Sequence, residues 1–253
     1  MPEDARTNVF LPDEKSIENL EFSEEWITTA DKIKIHSYFF VKKKELPTII
    51  YFHGNAGNIG HRLHHVNTLL EEYELNILLV EYRGFGKSEG KPSEKGLKQD
   101  GEAALQFLFN CDKIDDSKII IFGRSLGGAI ATHLAASHTD DERIKAVVLE
   151  NTFTDITNMA IKLIKFIKYF HYLIHLKFDS INYISKIKTP ILFISGQNDR
   201  LVPPEMMTQL YKKANDHKHT KIIRFKNGGH NDTFCEKGYS LKLKTWLNEV
   251  FKV

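Results

Sequence analysis

"IIIFGRSLGGAIATHLAAS", residues 119–137, runs a continuously apolar stretch into a serine set between glycines and straight on into a helix-like pattern. Gly123, Ser125 and Gly127 fill G-x-S-x-G, and a buried strand before it with a helix after it is the context that gives this spacing meaning. Small residues at both glycine positions let the backbone pinch, so that the serine oxygen projects beyond the strand end. A serine hydroxyl is a poor nucleophile at neutral pH. It needs a histidine base and a carboxylate that holds the tautomer of that base. The motif is therefore one third of a site, and the other two thirds are expected at the ends of later strands, acid before histidine.

Outward from this stretch the same rhythm recurs. "TIIYFHG" (48–54), "NILLVEYRG" (76–84), "KIIIFG" (118–123), "KAVVLEN" (145–151), "PILFISG" (190–196) and "TKIIRF" (220–225) read as strands. Their hydrophobicity is continuous rather than alternating, which predicts burial on both faces. Between them "GHRLHHVNTLLEEY", "SEKGLKQDGEAALQFLF", "LGGAIATHLAAS" and "PPEMMTQLYKKA" have helical spacing, and "YSLKLKTWLNEVF" closes the chain in the same way. Strand and helix in alternation predict an α/β fold with a mostly parallel sheet and helices on both faces. Upstream, "EWITTADKIKIHSYFFVK" reads as two strands joined by a turn near Ala30 and Asp31, an antiparallel N-terminal edge.

The 253 residues, 42% of them hydrophobic, can bury one large core, so a single domain over 1–253 is expected, with a polar N-terminal arm over about 1–24. One interval breaks the rhythm. Residues 152–188 are longer than an ordinary crossover and are expected to form a cap over the carboxyl edge of the sheet, where ligands bind in open α/β folds. Lys and Arg number 35 against 33 Asp and Glu, and the charges are scattered, which argues against nucleic acid as a partner. Cys111 and Cys235 show no CxxC pairing, and His61, His64 and His65 lack the partners of a metal motif; reduced thiols and no metal are expected. No signal peptide or membrane-spanning run is visible in the chain, so a cytoplasmic or peripherally membrane-associated protein is expected, a monomer in the simplest reading.

Both missing partners stand where the serine requires them. Asp199, in "QNDRLVPP", lies just beyond a strand end, and His230, in "KNGGHND", lies in a glycine-rich loop after the last strand. Glu150 and Asp155 also follow a strand and are the weaker candidates for the acid; Asp232 is too near His230 in sequence to be favoured. The developing oxyanion needs backbone donors, for which Leu126, directly after the serine, and Asn55, in "HGNAGNIG", are the candidates. His53, at a strand end, is expected to shape that loop rather than to act as the base. "GFGKSEGK" (84–91) resembles a phosphate loop but has Glu81 where the first glycine is needed, and Glu89 where G-x-G-x-x-G needs its third; it reads as a turn, and no cofactor is expected.

Within the expected cap, residues 161–178 are amphipathic at helical spacing. Leu163, Phe166, Ile167, Phe170, Ile174 and Phe178 share one face, and Lys162, Lys165, Lys168, His171 and His175 lie on the other. The apolar face can line an acyl pocket, or the segment can lie on an anionic membrane surface.

"PTIIYFHGNAGNIGHRL", "EYRGFGKSEG", "FGRSLGGA", "ENTF", "LVPPEMM" and "GGHNDT" together resemble the serine alpha/beta hydrolases of the abhydrolase domain-containing protein thirteen and Bem-forty-six-like group, from about Trp26 to the C-terminus. The resemblance implies the alpha/beta-hydrolase fold, Ser125, Asp199 and His230 as the triad, and Asn55 with Leu126 as the oxyanion positions. Hydrolysis of a lipid ester or a protein-palmitoyl thioester is what related abhydrolases imply. The alternatives are a serine peptidase on the same triad, or a membrane-docking or scaffolding protein with little turnover. Relatives usually carry an N-terminal anchoring segment, which this sequence does not display, and the lysine-rich cap is a second departure.

Overall fold

Side chains alternate across a strand, so a run that is apolar at every position must be covered from both sides. That is what the computed structural model of the chain describes, for residues 22–156, 177–214 and 218–252. Eight strands form one sheet: β1 (Ser23–Thr28), β2 (Lys34–Phe40), β3 (Thr48–Phe52), β4 (Asn76–Val80), β5 (Ile119–Arg124), β6 (Ile144–Glu150), β7 (Ile191–Gly196) and β8 (Lys221–Phe225), in the order β1-β2-β4-β3-β5-β6-β7-β8. The helices are α1 (Leu63–Glu72), α2 (Glu94–Phe109), α3 (Leu126–Ser137), α4 (Ser180–Tyr183), α5 (Pro204–Lys213) and α6 (Tyr239–Phe251).

Two cores result, one on each face. Ile50, Phe52, Leu78, Val80 and Ile121 pack beneath α2, α3 and α5, while Ile49, Tyr51, Ile77, Leu79 and Phe122 pack beneath α1 and α6. Burying each such side chain contributes roughly 1.5–3 kcal/mol, which is why the register of these strands is firmly set.

β1 pairs with β2, and β2 with β4, antiparallel; all other pairs are parallel. The antiparallel edge agrees with the sequence, except that β1 begins at Ser23, so the arm expected over 1–24 gives up its last two residues to the ladder. Ser23 and Glu24 pair with Phe39 and Tyr38. Polar side chains on an edge strand carry no hydrophobic signal although their backbone is paired. Of the rest of that arm, residues 1–21 lie outside the described residues.

The order of the strands places the site. From β3 the chain steps outward to β4, then crosses back to β5 on the other side of β3, so the loops leaving β3 and β5 open a crevice between them. Of the expected cap, 157–176 lie outside the described residues, and the amphipathic stretch falls almost wholly among them. Its two ends are anchored: Phe153, Ile156, Phe178, Ile184 and Ile187 are buried in the core on the α2 and α3 side. No described helix is long and apolar enough to cross a membrane.

Candidate active site

Ser125 occupies the one-residue turn between β5 and α3, with φ 53° and ψ −118°. A positive φ at a residue with a side chain costs on the order of 1–3 kcal/mol and persists only where the surroundings impose it. Here they do: the Ser125 N–H donates to the Glu150 carbonyl at 2.9 Å, and the Ser125 carbonyl accepts from the Thr152 hydroxyl at 2.7 Å and from the Gly128 N–H at 2.9 Å. The glycines of the motif are steric necessities. A Cβ on Gly127 would drive into the carbonyl of Phe52, and one on Gly123 into the carbonyl of Gly127.

His230 reaches the serine from the loop after β8. Its Nε2 lies 3.0 Å from Ser125 Oγ and its Nδ1 2.8 Å from Asp199 Oδ2. Asp199 stands in the loop after β7, its side chain 1% exposed, and its other oxygen accepts from the N–H groups of Leu201 and Val202, both at 2.8 Å. The carboxylate cannot turn away without losing those donors. With Nδ1–H directed at Asp199, Nε2 presents its lone pair to the serine hydroxyl. Ser125, Asp199 and His230 are thus brought together in the order read from the sequence.

The weaker acid candidates are placed elsewhere. Asp232 accepts from the Gly229 N–H at 2.6 Å and closes the histidine loop. Asp155 accepts from Thr154 Oγ1 at 3.2 Å. Glu150 is fully buried beneath the site, where the Tyr239 hydroxyl donates to its Oε2 at 2.5 Å and Arg124 Nε lies 3.5 Å from its Oε1. Burial pushes the Glu150 carboxyl above its ordinary value, and the Arg124 charge and the Tyr239 hydroxyl oppose that rise.

The loop after β3 lies against the serine: a Cβ on Gly54 would stand 3.4 Å from Ser125 Cβ and 3.9 Å from Oγ. Asn55 follows directly, and Leu126 opens α3, so its N–H belongs to the first turn, which has no acceptor within the helix. His53 is buried and holds this loop, as its position implied. Its ring nitrogens face Glu81 Oε1 at 3.0 Å and the Gly54 carbonyl at 2.7 Å, and Glu81 Oε2 accepts from the Ile59 N–H at 2.9 Å. The supposed phosphate loop is a turn, with Gly84, Gly86 and Gly90 all at positive φ.

Two further residues escaped the sequence reading. Arg124 donates from Nη2 to the His230 carbonyl and to Asn231 Oδ1, both at 2.6 Å. Asn151 donates to the carbonyls of Gly229 and His230 at 3.0 and 3.2 Å and accepts from the Gly196 N–H at 2.8 Å. A charge at the end of an otherwise apolar strand was the available signal for Arg124; Asn151 offered only its place after a strand. Among the described residues no group of three His, Cys, Asp or Glu side chains could hold a metal ion, and Cys111 and Cys235 are both free thiols.

The alpha/beta hydrolase fold family matches residues 47–172. The chain is 37% identical to the alpha/beta hydrolase domain-containing protein WAV2 of Arabidopsis thaliana over 235 residues, covering 87% of this chain and 76% of that protein. It is also 37% identical to the protein bem46 of Schizosaccharomyces pombe over 255 residues, covering 98% of this chain and 83% of that one. Among solved structures, the Pyrococcus furiosus esterase Pf2001 superimposes with a TM-score of 0.75 at 21% identity, over 95% of this chain and 93% of that one, a likeness of fold.

Proposed function

The chain belongs to the Bem46-like group of the alpha/beta hydrolases, and on that premise we propose that it is a serine hydrolase acting on an ester or thioester of an apolar acyl group. The observation that carries this reading is the unbroken line of contacts from Asp199 Oδ2 through His230 to Ser125 Oγ, at 2.8 and 3.0 Å.

In the proposed reaction His230 takes the proton of Ser125 as the oxygen attacks the acyl carbonyl, and the Asp199 carboxylate stabilises the imidazolium that forms. The negative charge that develops on the carbonyl oxygen is held by the N–H groups of Asn55 and Leu126, each such donor contributing about 3 kcal/mol of transition-state stabilisation. His230 then hands its proton to the departing alcohol or thiol, leaving an acyl-enzyme that water, deprotonated in turn by His230, hydrolyses. The amphipathic run at 161–178 favours an apolar acyl chain, and its lysines favour a substrate presented at an anionic membrane surface.

A fluorophosphonate probe tests this directly, followed by p-nitrophenyl esters of increasing chain length and a matching anilide. Labelling of the wild type, lost in Ser125→Ala and strongly reduced in His230→Ala, is expected, with turnover of esters ahead of the anilide. A folded wild type that neither labels nor hydrolyses any of them would falsify the proposal and leave the docking role. Faster turnover of the anilide would favour a peptidase.

A further inference from the structure

Arg124 and Glu150 form a buried pair of unlike charges directly under the candidate site, with 4% and 0% of their surfaces exposed. A pair that served stability alone would be closed by two short, parallel hydrogen bonds. Arg83 offers the comparison: its Nη1 and Nη2 donate in parallel to Asp31 Oδ2 and Oδ1 at 2.7 and 3.0 Å, and its Nε donates to the buried Asp100 at 2.8 Å. Arg124 is built otherwise. Its Nε stands 3.5 Å from Glu150 Oε1, and neither atom makes a hydrogen bond among the described residues. Its two short bonds, both at 2.6 Å, go instead to the carbonyl of His230 and to the side chain of Asn231.

We propose that Arg124 is a positioning residue for His230, its guanidinium gripping the backbone of the histidine loop so that the imidazole spans Ser125 and Asp199. This rests on the reading of Ser125 and His230 as nucleophile and base. Arg124 and Ser125 are consecutive, so the grip references the histidine to the same strand end that carries the serine. A displacement of about 1 Å between base and nucleophile is enough to cost on the order of 100-fold in rate.

The remainder of the network holds the guanidinium in turn. The Tyr239 hydroxyl on α6 donates to Glu150 Oε2; His65 on α1 lies 3.5 Å from that hydroxyl through Nε2 and 2.9 Å from the Tyr51 hydroxyl on β3 through Nδ1. Burial raises the pKa of both tyrosines and holds His65 neutral, so the hydroxyls stay protonated and Tyr239 donates to Glu150, whose carboxyl is itself pushed above its ordinary value by burial against the opposing Arg124 charge. Around His230 itself the charged side chains are Asp199 from the β7 loop, Arg124 from β5, Glu150 from β6 and Asp232 from its own loop.

The test compares the full chain with Arg124→Met, Arg124→Lys and Asn231→Ala. Five quantities are read: the rate of fluorophosphonate labelling per labelled site, the fraction of sites labelled at completion, kcat and KM on a p-nitrophenyl ester, and the low-field proton resonance of the His230 Nδ1–H. Arg124→Met is expected to lower the labelling rate and kcat by about 100-fold with KM unchanged and the low-field resonance lost. Arg124→Lys, which keeps the charge but carries its nitrogen on a stem one bond shorter than the guanidinium whose Nη2 reaches both acceptors, should recover part of the rate. Asn231→Ala, at an exposed position, should cost a smaller factor, about threefold to tenfold, with the fold intact. Full labelling of Arg124→Met at the wild-type rate would overturn the inference, and so would a reduced labelled fraction whose members react at the wild-type rate, the mark of a purely structural residue. Should Arg124→Met not fold, a wild-type rate in Asn231→Ala overturns it. A wild type that does not label overturns the serine hydrolase reading, whereas a labelled wild type with an equally fast Arg124→Met overturns only the role of Arg124.

Discussion

The side-chain amide of Asn151 donates to the carbonyl oxygen of His230 at 3.2 Å across 79 positions of the chain. The same side chain accepts from Gly196, at the end of β7 just before Asp199, so one residue ties the Asp199 loop to the His230 loop. Asn151 also adopts φ 46°, a conformation that asparagine tolerates better than most residues.

Asn151→Ala follows from this. It leaves the Gly196 N–H and the Thr233 hydroxyl without their shared partner in a buried site and keeps a strained backbone. A loss of about 2–4 kcal/mol in stability is expected from urea unfolding, together with a fall in kcat larger than any change in KM.

Gly127→Ala introduces a methyl group into the carbonyl of Phe52, which is backbone and cannot swing aside. The β5–α3 turn must open to admit it. Esterase activity is expected to fall at least about 100-fold, because Ser125 Oγ is displaced from His230, and the melting temperature to fall with it. Near-normal activity would mean that the turn yields without moving the serine.

Asp199→Asn retains an oxygen for the Leu201 and Val202 N–H groups while presenting an amide NH2 to His230 Nδ1. The imidazole must then adopt the other tautomer, with its proton directed at Ser125. A drop of about 10⁴-fold in kcat is expected, with a melting temperature close to that of the wild type. Glu150→Gln, by comparison, should leave the tautomer of His230 untouched.

His65 supplies a pH dependence of stability. Burial holds its pKa well below the ordinary 6.5, so the folded protein keeps it neutral while the unfolded chain takes up a proton. The unfolded state therefore binds more protons below that value, and stability is lost as the pH falls from 6.5 toward the depressed folded value. Urea midpoints at pH 7.5 and pH 5.5, values chosen to lie about one unit either side of the unperturbed pKa, should differ less in His65→Gln than in the wild type. An equal difference in both proteins would assign the acid sensitivity to other groups.

What the sequence determined alone is what depends on neighbours along the chain. Runs apolar at every position specify strands covered on both faces, glycines flanking Ser125 permit its turn, and Asp199 and His230 are conspicuous because each follows a strand end in a glycine- or proline-rich loop. The sequence favoured Asp199 over Glu150 as the partner of His230, but what Glu150 does instead could not be read that way: it is the last residue of β6, and the packing of α6 over that strand brings the Tyr239 hydroxyl to its carboxyl opposite Arg124. The start of β1 was hidden because backbone pairing at a sheet edge leaves polar side chains free to face water. Arg124 and Asn151 were hidden for the same kind of reason: they act through backbone carbonyls of a loop 106 and 79 positions away, and a carbonyl is identical in every residue. Sequence displays side-chain chemistry and local period, whereas contacts to distant backbone exist only once the strand order has been set.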